Sequence, residues 1–324
     1  MRGIRLFLIL FAAGILPLHA HFQMIYTPSS NISGDAASVD FILAFTHPFE
    51  SGHTMDIGKS ESGEVKGLQE FFAVHKKKKT DLLTGLQPIS FSSHEDSGRG
   101  FVCTLDKRNG FRGGGDWVLT AVPFPYYEPS EDKYIRQITK VMINKGQLDT
   151  DWSNRVAEGY PEIIPLVKPY DVWTGGVFRG TIVDREGHFV PHAEIEFVYM
   201  NYEVDTVSST FTGSAKLQKS GTGMILADDR GVFEFIPPRA GYWGFSAGIP
   251  GGQPYEGKEV AESAVLWIEA QPYETETALI SQTDNPITEM PAGSSRKPAS
   301  VPALITALAI LAAFIAVPAL KKKI

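Results

Sequence analysis

The sequence has a single cysteine, Cys103, among its 324 residues. One thiol cannot build an intramolecular disulfide framework, so an exported form of the chain must rely on its hydrophobic core. Long helical patterns are scarce, since few stretches keep a helical apolar period for about twelve residues. A phosphate-binding glycine loop is missing, as is the spacing typical of Ser-His-Asp or paired-carboxylate hydrolases. These absences argue against a nucleotide-binding or hydrolytic enzyme, and we expect no catalytic residue.

Acidic residues outnumber basic residues, and the formal net charge of the chain is −7. Five basic residues lie at the two ends, namely Arg2, Arg5 and the lysines at 321–323, so the remainder carries −12. An acidic protein of this kind is not expected to bind nucleic acid or anionic lipid, and it is compatible with cation binding.

Residues 1–20 have the pattern of a secretory signal peptide. The basic residues Arg2 and Arg5 are followed by an apolar core, and the small residue Ala20 ends the segment. We expect cleavage after Ala20, which would make His21 the first residue and give it a terminal α-amine. The alternative is an uncleaved signal anchor, in which His21 is an ordinary residue beside the membrane.

A second apolar segment, residues 301–320, contains no charged residue. About 20 apolar residues are enough to span a bilayer as a helix. The lysine-rich tail at 321–324 should stay cytoplasmic by the positive-inside rule. Residues 271–300 are rich in Thr, Ser, Pro and Glu and are predicted to form a tether. We therefore expect a protein anchored in the cytoplasmic membrane, with its bulk on the periplasmic, extracytoplasmic side.

The first half of the exported part, residues 21–164, has the pattern of a β-sandwich. Short stretches with β-branched residues or alternating side chains, bounded by turn residues, are predicted strands. The strand candidates lie at 37–45, 101–105, 113–123 and 134–144. The sequence therefore predicts an all-β fold.

The second half, residues 165–270, repeats a strand–turn–strand pattern. It contains "GGVFRGTIVDREGHFVPHAEIEFVYMN" and "ILADDRGVFEFIPPRAGYWGFSAG", each with an acidic, glycine-containing turn. Small transthyretin-like and collagen-adhesin B-type sandwiches have this pattern. The proline-rich segment "PEIIPLVKPYDVW" lies between the halves, and we place the boundary near Pro165. The sequence thus predicts two β-sandwich domains.

The best candidate site is a group of histidines near the predicted first strands. The loop "FTHPFESGHTMDIG" contains His47, His53 and Met55, and His21 would be the chain terminus after cleavage. Neutral imidazole suits nickel, cobalt, copper and zinc. A terminal His21 could chelate a metal through its amine and Nδ1, and a third nitrogen from His47 or His53 would complete a T-shaped set. Met55 is a possible weak axial ligand. The alternative is that these are solvated loop histidines.

A second cluster, "PFPYYEPSEDKYIRQITK", is aromatic and acidic. Tyr126, Tyr127, Glu128 and Glu131 are candidates to line a ligand site. The alternative is a packed corner between a strand and a loop, which we favour for Tyr127 and Tyr134.

Several blocks of the chain resemble the bacterial family of unknown function 4198. They are "AHFQMIYTPSS", "FTHPFESGHTMDIG", "PFPYYEPSEDKYIRQITKVMIN", "EIIPLVKPYDVWTGGVFRGTIV", "VPHAEIEFVYMN" and "RGVFEFIPPRAGYWGFSAG". The resemblance covers roughly residues 20–270. The family is also catalogued as a nickel-uptake substrate-specific component and is associated with nickel and cobalt importers of the energy-coupling type. The resemblance therefore implies Ni(II) or Co(II) as the metal and the membrane subunits of an importer as partners.

Only two segments of this chain are apolar enough to cross a bilayer, so it is not expected to be the channel itself. We expect a membrane-anchored, extracytoplasmic metal-binding component, not an enzyme. Two alternatives remain open. One is a copper-dependent histidine-brace oxidase holding Cu(II), which would need a flat, aromatic-lined face for polysaccharide. The other is a structural surface sandwich without a metal, which accounts poorly for the histidine loop.

Overall fold

The computed structural model describes residues 21–273, which lie within one compact unit. These residues form β-strands and turns, with one 3-10 turn at Leu83–Gly85 and no α-helix among them. The predicted all-β fold is therefore confirmed for this part of the chain. The last strand ends at Gln271, which is the first residue of the predicted tether.

The strands of the described part are, in chain order, β1 (Phe22–Tyr26), β2 (Asn31–Ile32), β3 (Ser38–Thr46), β4 (Thr54–Met55), β5 (Leu68–His75), β6 (Lys78–Asp81), β7 (Gln87–Ser92), β8 (Ser97–Asp106), β9 (Gly115–Pro123), β10 (Tyr126–Glu128), β11 (Lys133–Lys145), β12 (Glu162–Pro165), β13 (Val172–Trp173), β14 (Phe178–Val183), β15 (Glu194–Tyr199), β16 (Glu203–Asp205), β17 (Thr210–Thr212), β18 (Thr222–Leu226), β19 (Val232–Phe235), β20 (Gly241–Ile249) and β21 (Val260–Gln271).

These strands form three sheets. A seven-stranded sheet has the order β1-β3-β8-β7-β17-β16, with β4 paired to β3. An eleven-stranded sheet has the order β18-β15-β20-β21-β11-β9-β5-β6, with three short strands (β2, β10 and β13) paired to its members. A small sheet contains β12, β14 and β19. The arrangement is sandwich-like, as predicted.

The main core lies between the seven-stranded and eleven-stranded sheets. Buried side chains of both sheets form one hydrophobic cluster, which includes Phe22 and Phe41 from the first and Trp117 and Trp267 from the second. The rings of Phe22 and Trp267 lie 5.8 Å apart. The indole Nε1 of Trp267 donates a hydrogen bond of 2.9 Å to the carbonyl oxygen of Gln23. Strand β1 is thereby fixed against the larger sheet, although it lies at the edge of its own.

Strand pairing crosses the domain boundary predicted near Pro165. Strand β11 runs parallel to β21 over eight residue pairs, from Tyr134 opposite Val260 to Val141 opposite Trp267. The second half nevertheless has a hydrophobic cluster of its own, built around Trp243 and other buried side chains of that half. The division into residues 21–164 and 165–270 stays a sequence prediction, and the large sheet is continuous across it.

Several sequence predictions lie outside the described residues. They are the signal peptide at 1–20, most of the tether at 271–300, the transmembrane helix at 301–320 and the tail at 321–324. Between residues 21 and 273, no helix is long and apolar enough to span a membrane.

Candidate metal centre

Strand register brings His21 and His47 together. Strands β1 and β3 are antiparallel, with Phe22 directly opposite Thr46. One step beyond this pair, the same register places His21 opposite His47. Directly opposite residues of an antiparallel pair project to the same face of the sheet. The two imidazole rings accordingly lie edge to face, with their centroids 4.7 Å apart and their planes at 88°.

The third histidine extends this row across the next strand. Strand β4 pairs with β3 so that Thr54 is opposite Thr46. One step further, the amide of His47 donates a 3.0 Å hydrogen bond to the carbonyl oxygen of His53, and these two residues close the loop "PFESG". Their ring centroids are 5.9 Å apart. His21, His47 and His53 thus form one cross-strand row, which we call the histidine row.

Met55 lies two residues along the strand from His53, directly opposite Phe45. Because side chains alternate along a strand, Met55 shares the face of the histidine row. It is buried and belongs to the hydrophobic core. Met55 therefore lies next to the histidine row in the buried side-chain layer of the same face. Its role as a ligand stays a prediction.

A buried carboxylate contacts the first histidine of the row. Oε2 of Glu128, on strand β10, lies 3.2 Å from Nε2 of His21. Oε1 of Glu128 accepts hydrogen bonds from the backbone amide of Ser130 at 3.0 Å and from its hydroxyl at 2.5 Å. Burial acts to raise the pKa of Glu128, but the hydrogen bonds from Ser130 and the nearby His21 and His53 outweigh it and lower that pKa. Glu128 is therefore ionised beside His21.

A second carboxylate contacts the last histidine of the row. Asp96, in the turn between β7 and β8, forms an ion-pair contact with Nδ1 of His53 through its Oδ2. Its Oδ1 accepts hydrogen bonds from the Thr54 amide at 2.6 Å and the Ser93 hydroxyl at 3.2 Å. Sequence reasoning missed Asp96, because nothing in "SSHEDSG" separates it from an ordinary acidic turn.

The two carboxylates determine which ring nitrogens can accept a metal. A carboxylate beside one imidazole nitrogen favours a proton there and leaves the lone pair on the other nitrogen. Glu128 lies at Nε2 of His21, so Nδ1 is the ring nitrogen of His21 that could chelate a metal together with an α-amine. Asp96 lies at Nδ1 of His53, which leaves Nε2 for a metal. The donor set therefore fits a borderline transition-metal ion that prefers nitrogen ligands.

The predicted aromatic and acidic cluster adjoins the histidine row. The rings of Tyr126 and Phe45 are 5.3 Å apart, and those of Phe45 and His21 are 5.8 Å apart. Burial, together with nearby carboxylates including that of Glu128, raises the pKa of Tyr126 to about 12. Tyr126 therefore stays a neutral phenol and provides an apolar wall beside the row.

The other members of that cluster are divided between two roles. The ring of Tyr127 packs against Tyr134 with centroids 5.5 Å apart, as expected for a packed corner. Glu131 lines a cavity of about 220 Å³ that also contains His21 and Glu196 in its wall. The cluster predicted from the sequence is thus partly structural and partly next to the histidine row.

Elsewhere in the described part of the chain, possible metal-ligand atoms lie close together in the turn after β14. The ligand atoms of Asp184, Glu186 and His188 lie within 4.8 Å of one another. Asp184 accepts a 2.8 Å hydrogen bond from the amide of His188, and the side chain of His188 is 79% exposed. These contacts belong to a solvated turn, consistent with the surface position expected for His188.

Among solved structures, similar chains share about a tenth of their residues with this one. The D0-D1 domain of intimin is 10% identical, with a TM-score of 0.20, and the alignment covers 76% of this chain and 97% of that one. Escherichia coli alpha-2-macroglobulin is 10% identical, with a TM-score of 0.21 and coverage of 79% and 14%. Fibronectin(III)-like modules of Clostridium thermocellum CbhA are 9% identical, with a TM-score of 0.16 and coverage of 78% and 95%. At these TM-scores the similarities carry no inference.

The comparison with curated proteins gives no match. Residues 18–251 match the family described as a domain of unknown function, DUF4198, over more than half of the chain. The matched range includes the histidine row, Asp96 and Glu128. The chain therefore belongs to the DUF4198 family.

Proposed function

We propose that this protein is the extracytoplasmic, membrane-anchored metal-binding component of a nickel or cobalt uptake system. It takes one Ni(II) or Co(II) ion as cargo through the α-amine and Nδ1 of His21, together with His47 and His53. The observation that carries the proposal is the histidine row, whose outer rings are each held by a carboxylate. Independent solvated loop histidines would not be expected to lie side by side at the ends of three paired strands.

The chemistry of the donor set supports a divalent ion of the late first transition series. Amine and imidazole nitrogens suit Ni(II), Co(II) and Cu(II), and the four proposed nitrogen donors leave two positions of a six-coordinate ion open for exchange. Open positions are useful in a carrier, because the receiving transporter must add its own ligands before the ion leaves. The resemblance to nickel-uptake components favours nickel and cobalt over copper, and membrane importer subunits as the partner.

The metal content of the exported full-length chain tests this proposal. Cells grown with nickel, cobalt, copper and zinc supply the protein, and the purification uses no chelator. About one nickel or cobalt ion per chain supports the uptake function, especially if cells lacking the protein accumulate less nickel when nickel is scarce. Purification of the His47→Ala variant from the same cells is the matched control, and it should yield little metal.

A copper-dependent oxidase is the second candidate. It is supported by the same nitrogen set and by the neutral phenol of Tyr126 near the row, since histidine-brace oxidases use T-shaped copper sites on sandwich folds. Bound copper together with peroxide-dependent oxidation of glycans would favour this candidate. A chain that is exported intact and contains no metal would favour a structural surface protein.

A further inference from the structure

The backbone at the start of β1 is held by one side chain from the neighbouring sheet. Gln137, on β11, is buried. Its Nε2 donates a 2.6 Å hydrogen bond to the carbonyl oxygen of His21, and its Oε1 accepts a 2.7 Å hydrogen bond from the amide of Gln23. Both halves of one side-chain amide are therefore used on residues of the same short strand.

This pair of hydrogen bonds reproduces strand pairing. In a parallel sheet, one residue accepts from an amide and donates to a carbonyl two residues earlier on its neighbour. Strand β1 is an edge strand, with β3 as its partner in the sheet order. The amide of Gln137 occupies the position that a second strand would take, and it bridges the residues on either side of Phe22, the first residue of β1.

Holding His21 is important because chain termini are mobile unless they are tied down. The carbonyl carbon and the α-nitrogen of His21 are attached to the same Cα, so a fixed carbonyl oxygen restricts where the nitrogen points. Glu128 fixes the imidazole of the same residue from the other side. Together the two contacts orient both donor atoms of a chelate, the amine through the backbone and Nδ1 through the ring.

We propose that Gln137 is a positioning residue, which places the α-amine of His21 so that the amine and Nδ1 bind one metal ion together. This inference rests on the proposed function. Two other features of the described residues do not point to a further site. The buried Glu162 carboxylate already pairs with Lys140 and accepts hydrogen bonds from the amides of Val156 and Ala157, and the Asp184 turn is an exposed acidic cluster.

The test is a double-mutant cycle in which the Ni(II) affinity of four proteins is measured by titration. The four proteins are the wild-type exported chain, Gln137→Ala, a chain with one extra residue before His21, and the combination of both changes. The extra residue converts the chelating amine into an amide. If Gln137 acts by placing the amine, Gln137→Ala should weaken binding about 10- to 100-fold in the wild-type background. It should have little further effect in the extended chain, whose amine is already lost.

A spectroscopic measurement separates positioning from general stabilisation. The d–d absorption of the Ni(II) complex of Gln137→Ala should move toward that of the extended chain, because both lose the same nitrogen ligand. Gln137→Met keeps an uncharged side chain of similar length in the core but removes both hydrogen bonds. It should therefore remain folded, as measured by thermal unfolding, and still weaken metal binding. The exposed strand residue Gln87, replaced by alanine, is the matched control and should bind nickel as the wild type does.

The outcomes are distinct. An equal loss of affinity in both backgrounds would show that Gln137 only stabilises the strand, and it would overturn the inference. Wild-type affinity in Gln137→Ala and Gln137→Met would overturn it too. Absence of nickel and cobalt binding by the wild-type chain would overturn the proposed function, and the inference with it. A loss of Ni(II) affinity that occurs only in the wild-type background supports both the proposed function and the positioning role of Gln137.

Discussion

Replacing Glu128 by glutamine tests whether its buried carboxylate strengthens metal binding by His21. Glu128 is 7% exposed, and its Oε2 lies 3.2 Å from Nε2 of His21. Glutamine keeps the volume and one acceptor oxygen but removes the negative charge that raises the basicity of the ring. Groups that support metal-binding histidines change metal affinity by about 10- to 100-fold. In free energy this is about 1.4 to 2.7 kcal/mol.

The position of Glu128 determines where in this range the loss should fall. An exposed ion pair contributes only about 0 to 1 kcal/mol. Glu128 is buried, and two hydrogen bonds from Ser130 hold its other oxygen, so it cannot turn away toward water. We expect about a 10-fold loss of Ni(II) affinity for Glu128→Gln and close to 100-fold for Glu128→Ala, which also removes the acceptor.

Titration calorimetry with Ni(II) in a weakly coordinating buffer measures this loss. The matched control is Glu131→Gln, since Glu131 lies three residues away, lines the same cavity as His21 and forms its ion pair with Lys133 instead. That variant removes the same charge without touching the ring. Wild-type affinity in Glu128→Gln would refute the argument. An equal loss in both variants would refute it too, because only the general negative potential would then matter.

Four further predictions concern the same site and its setting. His47→Ala and His53→Ala should each weaken Ni(II) binding by at least about 10-fold, whereas His188→Ala in the exposed turn should not; calorimetry on the three variants decides this. Protons compete with metal for imidazole, so affinity should also fall as the pH is lowered, and pH-independent binding would exclude histidine ligands. N-terminal sequencing of the exported protein should begin at His21, and a start at residue 1 would exclude the chelating amine. Deleting residues 301–324 should release the protein in soluble form, and attachment that survives a high-salt wash would point to another anchor.

Local pattern was sufficient to predict two of the strands that carry the site, β3 and β11, but not the short strands β1, β4 and β10. The stretch predicted at 37–45 is β3 (Ser38–Thr46), and the stretch predicted at 134–144 is β11 (Lys133–Lys145). Both are rich in apolar and β-branched residues, which favour strands wherever they lie. Their partners were not predictable in this way. The parallel pairing of β11 with β21 joins segments more than a hundred residues apart, and no short-range signal specifies it.

The candidate site also depends on contacts between distant segments, which local sequence does not predict. Spacing in "HPFESGH" was enough to suggest that His47 and His53 act together, because a short loop returns the chain to the same place. The row with His21 depends on the register between β1 and β3, which becomes visible only in the structure. Glu128 was predicted as a member of the aromatic and acidic cluster, but its contact with His21 was not predicted. Asp96 and Gln137 were missed, since each acts on a histidine more than forty residues away.

Under the proposed function, the position of His21 just before β1 would link metal binding to export. The nitrogen of His21 is an amide as long as residue 20 precedes it, and an amide nitrogen does not coordinate a metal until it loses its proton. Under the proposed function, the precursor therefore lacks one of its four nitrogen donors and competes weakly for nickel or cobalt inside the cell. Cleavage after Ala20 would supply the amine on the far side of the membrane. There Gln137 would hold the backbone of His21 and Glu128 its imidazole ring. The carrier would thus reach full affinity only in the compartment from which the metal is collected.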